Sequence, residues 1–373
     1  MDNSPMTRPW FILSPCGTSL LTNSVIDEAE RNAIVRCANS KSREICSAED
    51  RQLLDGLTER MSERLANSNQ VEVAKLSAEL NAITKLYQGD LNAPQHFHQL
   101  LCTDTWLGEA TATSVAGWLR KTGFTVDIRR QPDLRTDDLQ AFQAALSDLV
   151  QWCEETVSGY AKNHYRIIFN LTGGFKSVQG FLQTLAMFYA DEAVYIFETG
   201  KELLRIPRLP VTMSAEKEVR KHLQTFRRLA QGLPVADVAD ISETLLLKID
   251  GEAALSAWGV LVWEQTKRSL YVEELHPSPS SKLVFGPQFK RSLENLAPDR
   301  LRHVNERLDQ LARRLEEGAI YNPCSLDFKA LQGSGYKGST HECDAYADED
   351  AKRLFGHFEG GSYVLDRLDK GLH

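Results

Sequence analysis

Short apolar segments alternate with longer helical stretches over about the first 200 residues, and this alternation constrains the fold more than any other feature. The segments predicted to be strands are residues 10–16, 97–103, 124–129, 165–170 and 193–198. A long polar stretch, about residues 24–87, carries Leu and Ala at three- and four-residue steps and is predicted to be helical. Strands that alternate with such helices predict βαβ units around a parallel sheet. We therefore expect a Rossmann-like α/β domain over residues 1–210.

The pattern changes after a proline-spaced segment at residues 206–210. Residues 211–281 are predicted to form a helical or winged-helix-like connector, and its end, residues 275–281, is a Pro/Ser cluster with the composition of a linker. Residues 282–373 contain a short strand, two helices and three further strands, the pattern of a small α+β module. We expect three parts, with boundaries near residues 210 and 281.

The composition is that of an ordinary globular protein, with 373 residues of which 42% are hydrophobic and 25% charged. A formal net charge of -8 excludes a protein that coats nucleic acid through overall basicity, so an RNA or DNA partner would need a local site. The sequence contains no recognisable signal peptide or membrane span, and its 7 cysteines include no C-x-x-C pair. We expect a cytoplasmic protein with free thiols, no structural zinc and no membrane partner.

Two strand-to-helix loops, residues 16–23 and 170–176, are rich in Gly and hydroxyl residues. Ligands of open parallel sheets bind beyond the carboxyl ends of the strands, where both loops lie. Free backbone N–H groups, the start of a helix and the Lys176 cation would hold phosphate there. Neither loop matches a dinucleotide or triphosphate motif. On spacing alone, an equal alternative is that Gly17, Gly173 and Gly174 are turn glycines and that Thr172 caps a helix.

Residues 14–23 (Ser-Pro-Cys-Gly-Thr-Ser-Leu-Leu-Thr-Asn) and 170–177 (Asn-Leu-Thr-Gly-Gly-Phe-Lys-Ser) resemble the two ligand loops of CRISPR-associated Rossmann-fold (CARF) domains. Residues 103–105 resemble the second strand region of that family. The resemblance covers about residues 1–210 and implies a homodimer that binds a cyclic oligoadenylate, most often the tetramer, across its two-fold axis. It also implies that the equivalents of Ser19 and Lys176 cleave the ring slowly in some relatives. The residues that it places in the pocket are Gly17, Thr18, Ser19, Asn23, Thr172, Gly173, Gly174 and Lys176.

Segments of the last module resemble the RelE/HigB toxin family: 326–333 (Leu-Asp-Phe-Lys-Ala-Leu-Gln-Gly), 340–346 (Thr-His-Glu-Cys-Asp-Ala-Tyr), 352–355 (Lys-Arg-Leu-Phe) and 363–370 (Tyr-Val-Leu-Asp-Arg-Leu-Asp-Lys). Toxins of this family cleave mRNA in the ribosomal A site without a metal. A 2′-hydroxyl attacks the adjacent phosphate, and side chains act as base, acid and charge stabiliser. By position, Lys329 and Arg353 match best, and Arg353 would neutralise the transition state. Further candidate proton carriers are Lys337, His341, His357, Lys370 and His373.

The module departs from that family in two respects. Residues 341–344 read His-Glu-Cys-Asp where relatives often carry an arginine, and from residue 271 onward 14 Lys and Arg residues face 17 Asp and Glu residues. A degenerate module used only for interaction is therefore an open alternative. Elsewhere, His96 and His98 are expected to form a surface pair on the second strand that binds no metal, because no carboxylate or Cys stands at ligand spacing.

Together, the two resemblances predict a cyclic-oligoadenylate-activated, ribosome-dependent mRNA endonuclease of type III CRISPR antiviral defence that uses no metal or other cofactor. Its expected partners are cyclic tetra-adenylate, the ribosome with its mRNA, and a second copy of the chain. One alternative is a ring nuclease that degrades cyclic tetra-adenylate. Another is a ligand-responsive transcriptional regulator, whose winged helix would read DNA through the basic pairs at residues 220–221 and 227–228.

Overall fold

The computed structural model describes residues 8–197, 202–210, 215–332, 335–347 and 350–371. Its contacts divide the chain into two units, Met1–Thr212 and Met213–His373, so the predicted connector and the predicted C-terminal module belong to one unit. Glu198, at the end of the predicted fifth strand, and His373 lie outside the described residues. Within the described ranges, no helix combines the length and the apolarity that a membrane crossing requires.

The first unit is built on a sheet of β1 (Trp10–Pro15), β2 (Phe97–Cys102), β3 (Thr125–Arg130), β4 (Arg166–Asn170), β5 (Glu192–Tyr195) and β6 (Leu204–Pro207). The strand order is β3-β2-β1-β4-β5-β6; neighbours run parallel except for the antiparallel pair of β5 with β6. Phe11, Ile12 and Leu13 on the central strand are fully buried, as in a sheet covered on both faces. The expected Rossmann-like α/β sheet is confirmed, and β6 is an edge strand that the sequence pattern does not predict.

The helices of this unit are α1 (Ser19–Thr22), α2 (Glu28–Cys37), α3 (Ala48–Asn67), α4 (Gln70–Leu76), α5 (Ala78–Leu86), α6 (Trp106–Lys121), α7 (Leu139–Trp152), α8 (Ser158–Lys162) and α9 (Lys176–Tyr189). A 3₁₀ turn (Arg43–Ile45) and a π turn (Cys153–Val157) join some of them. The predicted helical stretch 24–87 is divided into α2 to α5 because polar side chains start a new helix each time. The capping residues are Asp27, Ser47, Asn69 and Ser77, each accepting a backbone N–H of the following turn.

His96 and His98 do not form a surface pair, because both are buried. The backbone N–H of Trp10 donates to Nδ1 of His96 (2.9 Å), and Nε2 of His98 lies 3.1 Å from the hydroxyl of Tyr87. Burial lowers the pKa of His98 to about 3, so this ring stays neutral at physiological pH. The expectation fails because β2 is an inner strand with both faces covered.

Cys37, the last residue of α2, forms a disulfide with Cys46, and the two Cα atoms lie 5.9 Å apart. The expectation that all thiols are free is therefore wrong for this pair. The two residues are separated by 9 positions, a spacing that no motif marks. The free cysteines are Cys16, Cys102, Cys153, Cys324 and Cys343.

The first elements described in the second unit are α10 (Glu216–Lys221), α11 (Leu223–Ala230), a 3₁₀ turn (Glu243–Leu245), the antiparallel hairpin of β7 (Leu246–Ile249) with β8 (Glu252–Leu255), and α12 (Ala257–Glu273). Residues 211–281 are predicted to be a helical or winged-helix-like connector, and the hairpin corrects the purely helical alternative. Its turn is formed by Asp250 and Gly251, with φ values of 51° and 88°. Left-handed backbone at two successive residues is what short hairpin turns require, and such a turn interrupts a helical pattern.

The rest of this unit contains β9 (Leu283–Phe285), α13 (Pro287–Ser292), α14 (Pro298–Glu317), a 3₁₀ turn (Gly318–Ile320), β10 (Lys329–Ala330), β11 (His341–Tyr346), β12 (Lys352–Glu359) and β13 (Ser362–Lys370). The strands form one sheet in the order β10-β11-β12-β13-β9, in which β13 and β9 run parallel and the other neighbours antiparallel. Val304, Leu308 and Leu311 on α14 are fully buried in the same core as the sheet. The strands and two helices predicted over residues 282–373 agree with these elements.

The Pro/Ser cluster at residues 275–281 packs against the unit and is not a free linker. Nη1 of Arg228 donates to the carbonyl of Pro279 (2.7 Å), and the backbone N–H of His276 donates to the side chain of Asn305 (3.1 Å). The segment is held in place because the carbonyls of Pro277 and Pro279 accept arginine donors from α11.

The basic pairs that would read DNA in a winged helix are engaged in ion pairs instead. Arg227 on α11 is fully buried, and its Nε donates to Oδ1 of Asp309 on α14 (2.7 Å). The hydroxyl of Tyr271 donates to the other oxygen of Asp309. The further pairs are Arg228 with Glu316 and Arg220 with Glu273.

Arg227 ties α11 to α14, and its removal tests how much this buried pair stabilises the second unit. In Arg227→Met, the buried Asp309 carboxylate loses its guanidinium partner, so we expect the free energy of unfolding to fall by about 3–5 kcal/mol. Urea unfolding followed by circular dichroism measures the change. Arg220→Met removes an exposed pair and is the control, with an expected loss below about 1 kcal/mol. Equal losses in the two variants would contradict the structure.

Candidate functional site

The strand order of the first sheet reverses between β1 and β4, which lie side by side at its centre. The chain leaves β1 towards β2 and β3 on one side and returns past β1 to β4 on the other. The loops that follow β1 and β4 therefore meet at the carboxyl edge of the sheet, where open α/β sheets bind ligands. We call them loop 1 (residues 16–19) and loop 2 (residues 171–175).

Glycines allow the two loops to touch. A Cβ atom on Gly17 would lie 2.9 Å from the carbonyl oxygen of Gly174. Gly174 has a φ of +98°, and its own Cβ would lie 2.8 Å from the Cβ of Pro15. Both glycines are therefore required by the close approach of two backbones, and Gly174 also by its left-handed conformation.

A buried carboxylate from α5 binds both loops. Oε1 of Glu79 accepts the backbone N–H groups of Gly17 (2.9 Å) and Gly174 (3.3 Å). Oε2 accepts the hydroxyls of Ser19 (3.2 Å) and Ser77 (2.7 Å). The sequence predicts free loop N–H groups for phosphate binding, and at these two glycines that expectation is wrong because Glu79 already accepts both.

A pocket of about 220 Å³ lies beside the two loops. Its wall combines loop backbone with apolar and aromatic side chains and a few polar groups, the usual composition of a small-molecule site. Phe142 and Phe175 contribute aromatic rings, and Asn39 and Thr105 contribute polar groups. Of the predicted ligand residues, those that line the pocket are Gly17, Thr18 and Gly174.

Three other predicted ligand residues, two in the loops and one directly after loop 2, do not line the pocket. Ser19 donates to Glu79, and Gly173 packs so closely on Glu79 that a Cβ there would lie 2.3 Å from Oε1. Lys176 is exposed at the first position of α9, and no ion pair involving it is found in the described part of the chain. Its ammonium group is therefore available to an anion in solution.

The last two predicted ligand residues hold the local structure together. The side-chain amide of Asn23 donates to the carbonyl of Leu76 (3.0 Å). The hydroxyl of Thr172 accepts the backbone N–H of Ile196 (3.2 Å), so it is not the helix cap that the alternative interpretation proposed. Both side chains link their loops to neighbouring elements rather than to the pocket.

Arg135 also lines the pocket and has an unused donor. Its Nη1 donates to Asp137 (2.8 Å) and to the carbonyl of Asn39 (3.2 Å). Its Nε is buried and has no hydrogen-bond partner among the described residues. Arg135 therefore brings a cationic side chain to the pocket wall, held in place by Asp137 and Asn39.

Cys16 lines the pocket, and its side chain is fully buried. Burial raises its pKa well above the usual range, and the nearby Glu79 and Cys102 raise it further. Because the thiolate is the reactive form, a thiol held protonated in this way contributes shape rather than chemistry.

The catalytic candidates of the second unit fall into separate groups, of which the first surrounds Arg353 on β12. Its guanidinium contacts Glu342 (2.5 Å), Asp344 (3.0 Å) and Asp327 (3.2 Å). Lys329 also pairs with Asp327 (2.5 Å). These carboxylates compete with any phosphate for Arg353. Within the described ranges, no group of His, Cys, Asp and Glu side chains is arranged to hold a metal ion.

His357, also on β12, is held by a carboxylate of β13. The two oxygens of Asp366 lie 3.0 and 3.1 Å from Nδ1 of His357, and the buried hydroxyl of Ser339 donates to Asp366 (2.7 Å). A histidine whose Nδ1–H donates to a carboxylate presents Nε2 as a proton acceptor. Nε2 of the partly exposed His357 lies 3.9 Å from the exposed Glu359. This arrangement suits a general base.

Residues 336 and 337 form a further group with β13. The hydroxyl of Tyr336 and the ammonium of Lys337 lie 3.0 and 3.3 Å from Asp369. Nη2 of Arg367 donates to the carbonyl of Lys337 (3.3 Å), and its buried Nε has no hydrogen-bond partner among the described residues. No carboxylate pairs with Arg367 in that part of the chain, unlike Arg353.

The remaining candidates lie apart from these groups. His341 stacks on Phe328, with 5.4 Å between ring centroids, and meets Phe358 edge-on. Burial lowers the pKa of His341, as does the nearby Arg314. Lys370 is exposed at the end of β13. His341 is therefore part of an aromatic cluster rather than of the His357 group.

Sequence reasoning missed Glu79, Arg135, Asp366 and Arg367. Glu79 is 62 and 95 residues from its two loop partners, and locally it shows only the pattern of a first helical turn, so no nearby signal marks it. Asp366 and Arg367 lie within the segment 363–370 that resembles the toxin family. Strand alternation would place these adjacent residues on opposite faces, and the pairing of β12 with β13 shifts register here, an irregularity that no sequence signal marks.

Residues 74–209 match a family model described as CRISPR-associated protein (Cas_APE2256). The matched segment contains Glu79, loop 2 and β2 to β6, whereas loop 1 precedes it. No curated protein matches the chain. The sheet and its paired loops define a Rossmann-like α/β unit with a pocket at its carboxyl edge. Over residues 74–209, the chain is therefore similar to CRISPR-associated proteins.

Gly173→Ala tests the packing of loop 2 on Glu79. The added Cβ would lie 2.3 Å from Oε1 of Glu79, so we expect overpacking to lower the free energy of unfolding by about 1–3 kcal/mol. Gly180→Ala is the control, because nothing lies within 4 Å of its Cβ. Helix propensity predicts that this control stabilises the protein by about 0.5–1 kcal/mol. Urea unfolding measures both, and a neutral Gly173→Ala would rule out the packing described.

Proposed function

We propose that the chain is a cyclic-oligoadenylate-activated, ribosome-dependent mRNA endonuclease of type III CRISPR antiviral defence. The observation that carries the proposal is the pocket beside the paired loops, in a unit whose residues 74–209 are similar to CRISPR-associated proteins. In this proposal residues 1–210 are a CARF sensor of cyclic tetra-adenylate. Residues 211–281 connect it to a RelE-like nuclease formed by residues 282–373.

The pocket has the size and lining for one nucleobase of a cyclic oligonucleotide. Its volume of about 220 Å³ is below the ~300–1,000 Å³ typical of sites that enclose a drug-sized ligand, so a ring of four nucleotides extends outside it. Phe142 and Phe175 offer aromatic rings, and Arg135 offers a cationic side chain in the pocket wall. Thr18 and Lys176 are exposed at the loops and supply a hydroxyl and a cation for the phosphates.

A second copy of the chain completes the site in this proposal. A ring whose phosphates are related by a two-fold axis needs each donor presented twice, which a homodimer of such loops supplies. The ligand, the mRNA and the ribosome place the reaction in the cytoplasm.

Contacts on β12 and β13 support RNA cleavage in the second unit. In the proposed step, Nε2 of His357 takes the proton of the 2′-hydroxyl, the oxygen attacks the adjacent phosphorus, and the 5′-oxygen leaves with a proton from Lys337. The products are a 2′,3′-cyclic phosphate and a free 5′-hydroxyl. Asp366 orients the imidazole and stabilises its positive charge. Arg367 stabilises the negative charge that develops on the phosphate oxygens.

Arg353 takes a different role from the one that the family resemblance implies. Because Glu342, Asp344 and Asp327 occupy its guanidinium, we assign the phosphate contact to Arg367 and a positioning role to Arg353. The other candidates from the resemblance, Lys329, His341 and Lys370, are assigned no step in the reaction.

A ring nuclease is the second candidate function, because Ser19 and Lys176 border the same two loops and the CARF resemblance associates them with ring cleavage. A transcriptional regulator is not favoured, because the arginines that would read DNA are held in ion pairs.

Programmed ribosomes with labelled mRNA test the proposed function. We expect cyclic tetra-adenylate to stimulate cuts at the A-site codon, with none on naked RNA. Lys176→Ala removes a cation from the ligand's phosphates and should weaken the stimulation by about tenfold. Lys162→Ala is the control, an exposed lysine at the end of α8, which leads into the amino end of β4, and should behave as wild type. Linear products of the ring without mRNA cuts would favour the ring nuclease.

His357→Ala removes the proposed base and should lower the rate of mRNA cleavage by about 10²–10⁴-fold without changing ligand affinity. Asp366→Asn keeps the base but weakens its orientation, so a smaller loss is expected. His303→Ala is the control, a half-exposed histidine of α14 that pairs with Glu306. Single-turnover cleavage on ribosomes measures the rates. Wild-type rates in His357→Ala would exclude this base.

A further inference from the structure

Glu79, in the first turn of α5, is a buried carboxylate that accepts four hydrogen bonds. Its side chain is fully buried. Two backbone N–H groups, from Gly17 and Gly174, and two hydroxyls, from Ser19 and Ser77, donate to its two oxygens. Paired backbone N–H groups with nearby hydroxyls are the donor set with which proteins bind phosphate and other anions. Here the anion that these donors bind is the Glu79 carboxylate of the chain itself.

The main chain of Glu79 strengthens the same connection. The side-chain amide of Asn170, at the end of β4, donates both to the carbonyl of Glu79 (3.1 Å) and to the hydroxyl of Ser14 on β1 (3.1 Å). The first turn of α5 is therefore tied to the carboxyl ends of β1 and β4 through main chain and side chain. Loops 1 and 2 follow directly from those strand ends.

Glu79 is separated from the pocket by the loops that it holds. Gly17 and Gly174 line the pocket, whereas Glu79 does not. One oxygen of Glu79 therefore fixes two neighbouring points of the pocket wall from the buried side. Hydrogen bonds to a carboxylate are about twice as strong as those to a neutral acceptor, so the charge contributes to this fixation.

We propose that Glu79 is a positioning residue that holds loops 1 and 2 together as the preformed wall of the ligand pocket. The phosphates of the ligand are then recognised by exposed side chains at the loops rather than by the Gly17 and Gly174 amides. The proposal rests on the proposed binding of a cyclic oligoadenylate. It assigns the recognition of phosphate to groups such as Thr18 and Lys176, which point outward and have no carboxylate partner among the described residues. Removing the negative charge of Glu79 weakens its hydrogen bonds to loops 1 and 2, so the loops are held less firmly and the ligand binds more weakly.

Glu79→Gln tests the charge while keeping the shape. Calorimetric titration of the full-length protein with cyclic tetra-adenylate should show binding about tenfold weaker than wild type. Glu30→Gln is the matched control, a buried carboxylate of the same unit that accepts the N–H of Ile26 (3.0 Å) and pairs with Arg60, away from both loops. It should lose stability but bind as wild type. This comparison separates loop positioning from a general loss of stability.

A second pair of variants covers the case in which Glu79→Gln does not fold. Ser77→Ala removes the cap of α5 and one donor to Glu79, whereas Ser47→Ala removes the matching cap of α3 and touches neither loop. We expect several-fold weaker binding only in Ser77→Ala. Unchanged affinity in Glu79→Gln and Ser77→Ala overturns the proposal, and tighter binding overturns it in favour of Glu79 as a competitor of phosphate. If the wild-type protein does not bind the ring, the proposed ligand is wrong and this inference falls with it.

Discussion

The contact between the loops that follow β1 and β4 is the constraint on which the first unit depends. Two backbones that approach this closely exclude water from the N–H groups of Gly17 and Gly174, and buried N–H groups need an acceptor. Glu79 is that acceptor for both. The same requirement explains why glycines stand at the contact, because a Cβ atom on Gly17 would meet the carbonyl of Gly174. The need of these buried N–H groups for an acceptor, rather than a ligand, therefore determines the shape of the carboxyl edge of the sheet.

The same reasoning distinguishes the arginines of the molecule by their partners. Arg227 and Arg353 have carboxylate partners and hold the second unit together. Arg135 lines the pocket and pairs with Asp137, and Arg367 has no carboxylate partner among the described residues. A guanidinium whose donors are occupied contributes little to ligand binding until those partners are displaced. This is why the proposed function assigns the phosphate contact to Arg367 and not to Arg353, which the toxin resemblance favours by position.

Periodicity in the sequence predicts what depends on neighbouring residues, and it fails where partners are distant. The parallel sheet and the strands of residues 282–373 follow from runs of apolar residues that each strand carries itself. The hairpin at residues 246–255 is missed because its turn lies inside a helical pattern. The Pro/Ser cluster at 275–281 has linker composition, yet arginines some 50 residues away bind its carbonyls. Glu79 is missed for the same reason, because its role exists only once the strand order brings distant loops together.

Charge around the proposed nuclease site is unevenly distributed, which changes what the acidic balance of the last module means. Three carboxylates surround Arg353 and Lys329, so that corner of the sheet repels phosphate. Along β13, Asp366 is engaged by His357 and Asp369 by Tyr336 and Lys337, whereas Arg367 has no carboxylate partner among the described residues. An RNA backbone follows positive potential, so in the proposed function the substrate strand approaches along β13 rather than across β10 and β11. The net charge averages these two regions, and it therefore does not argue against an RNA substrate.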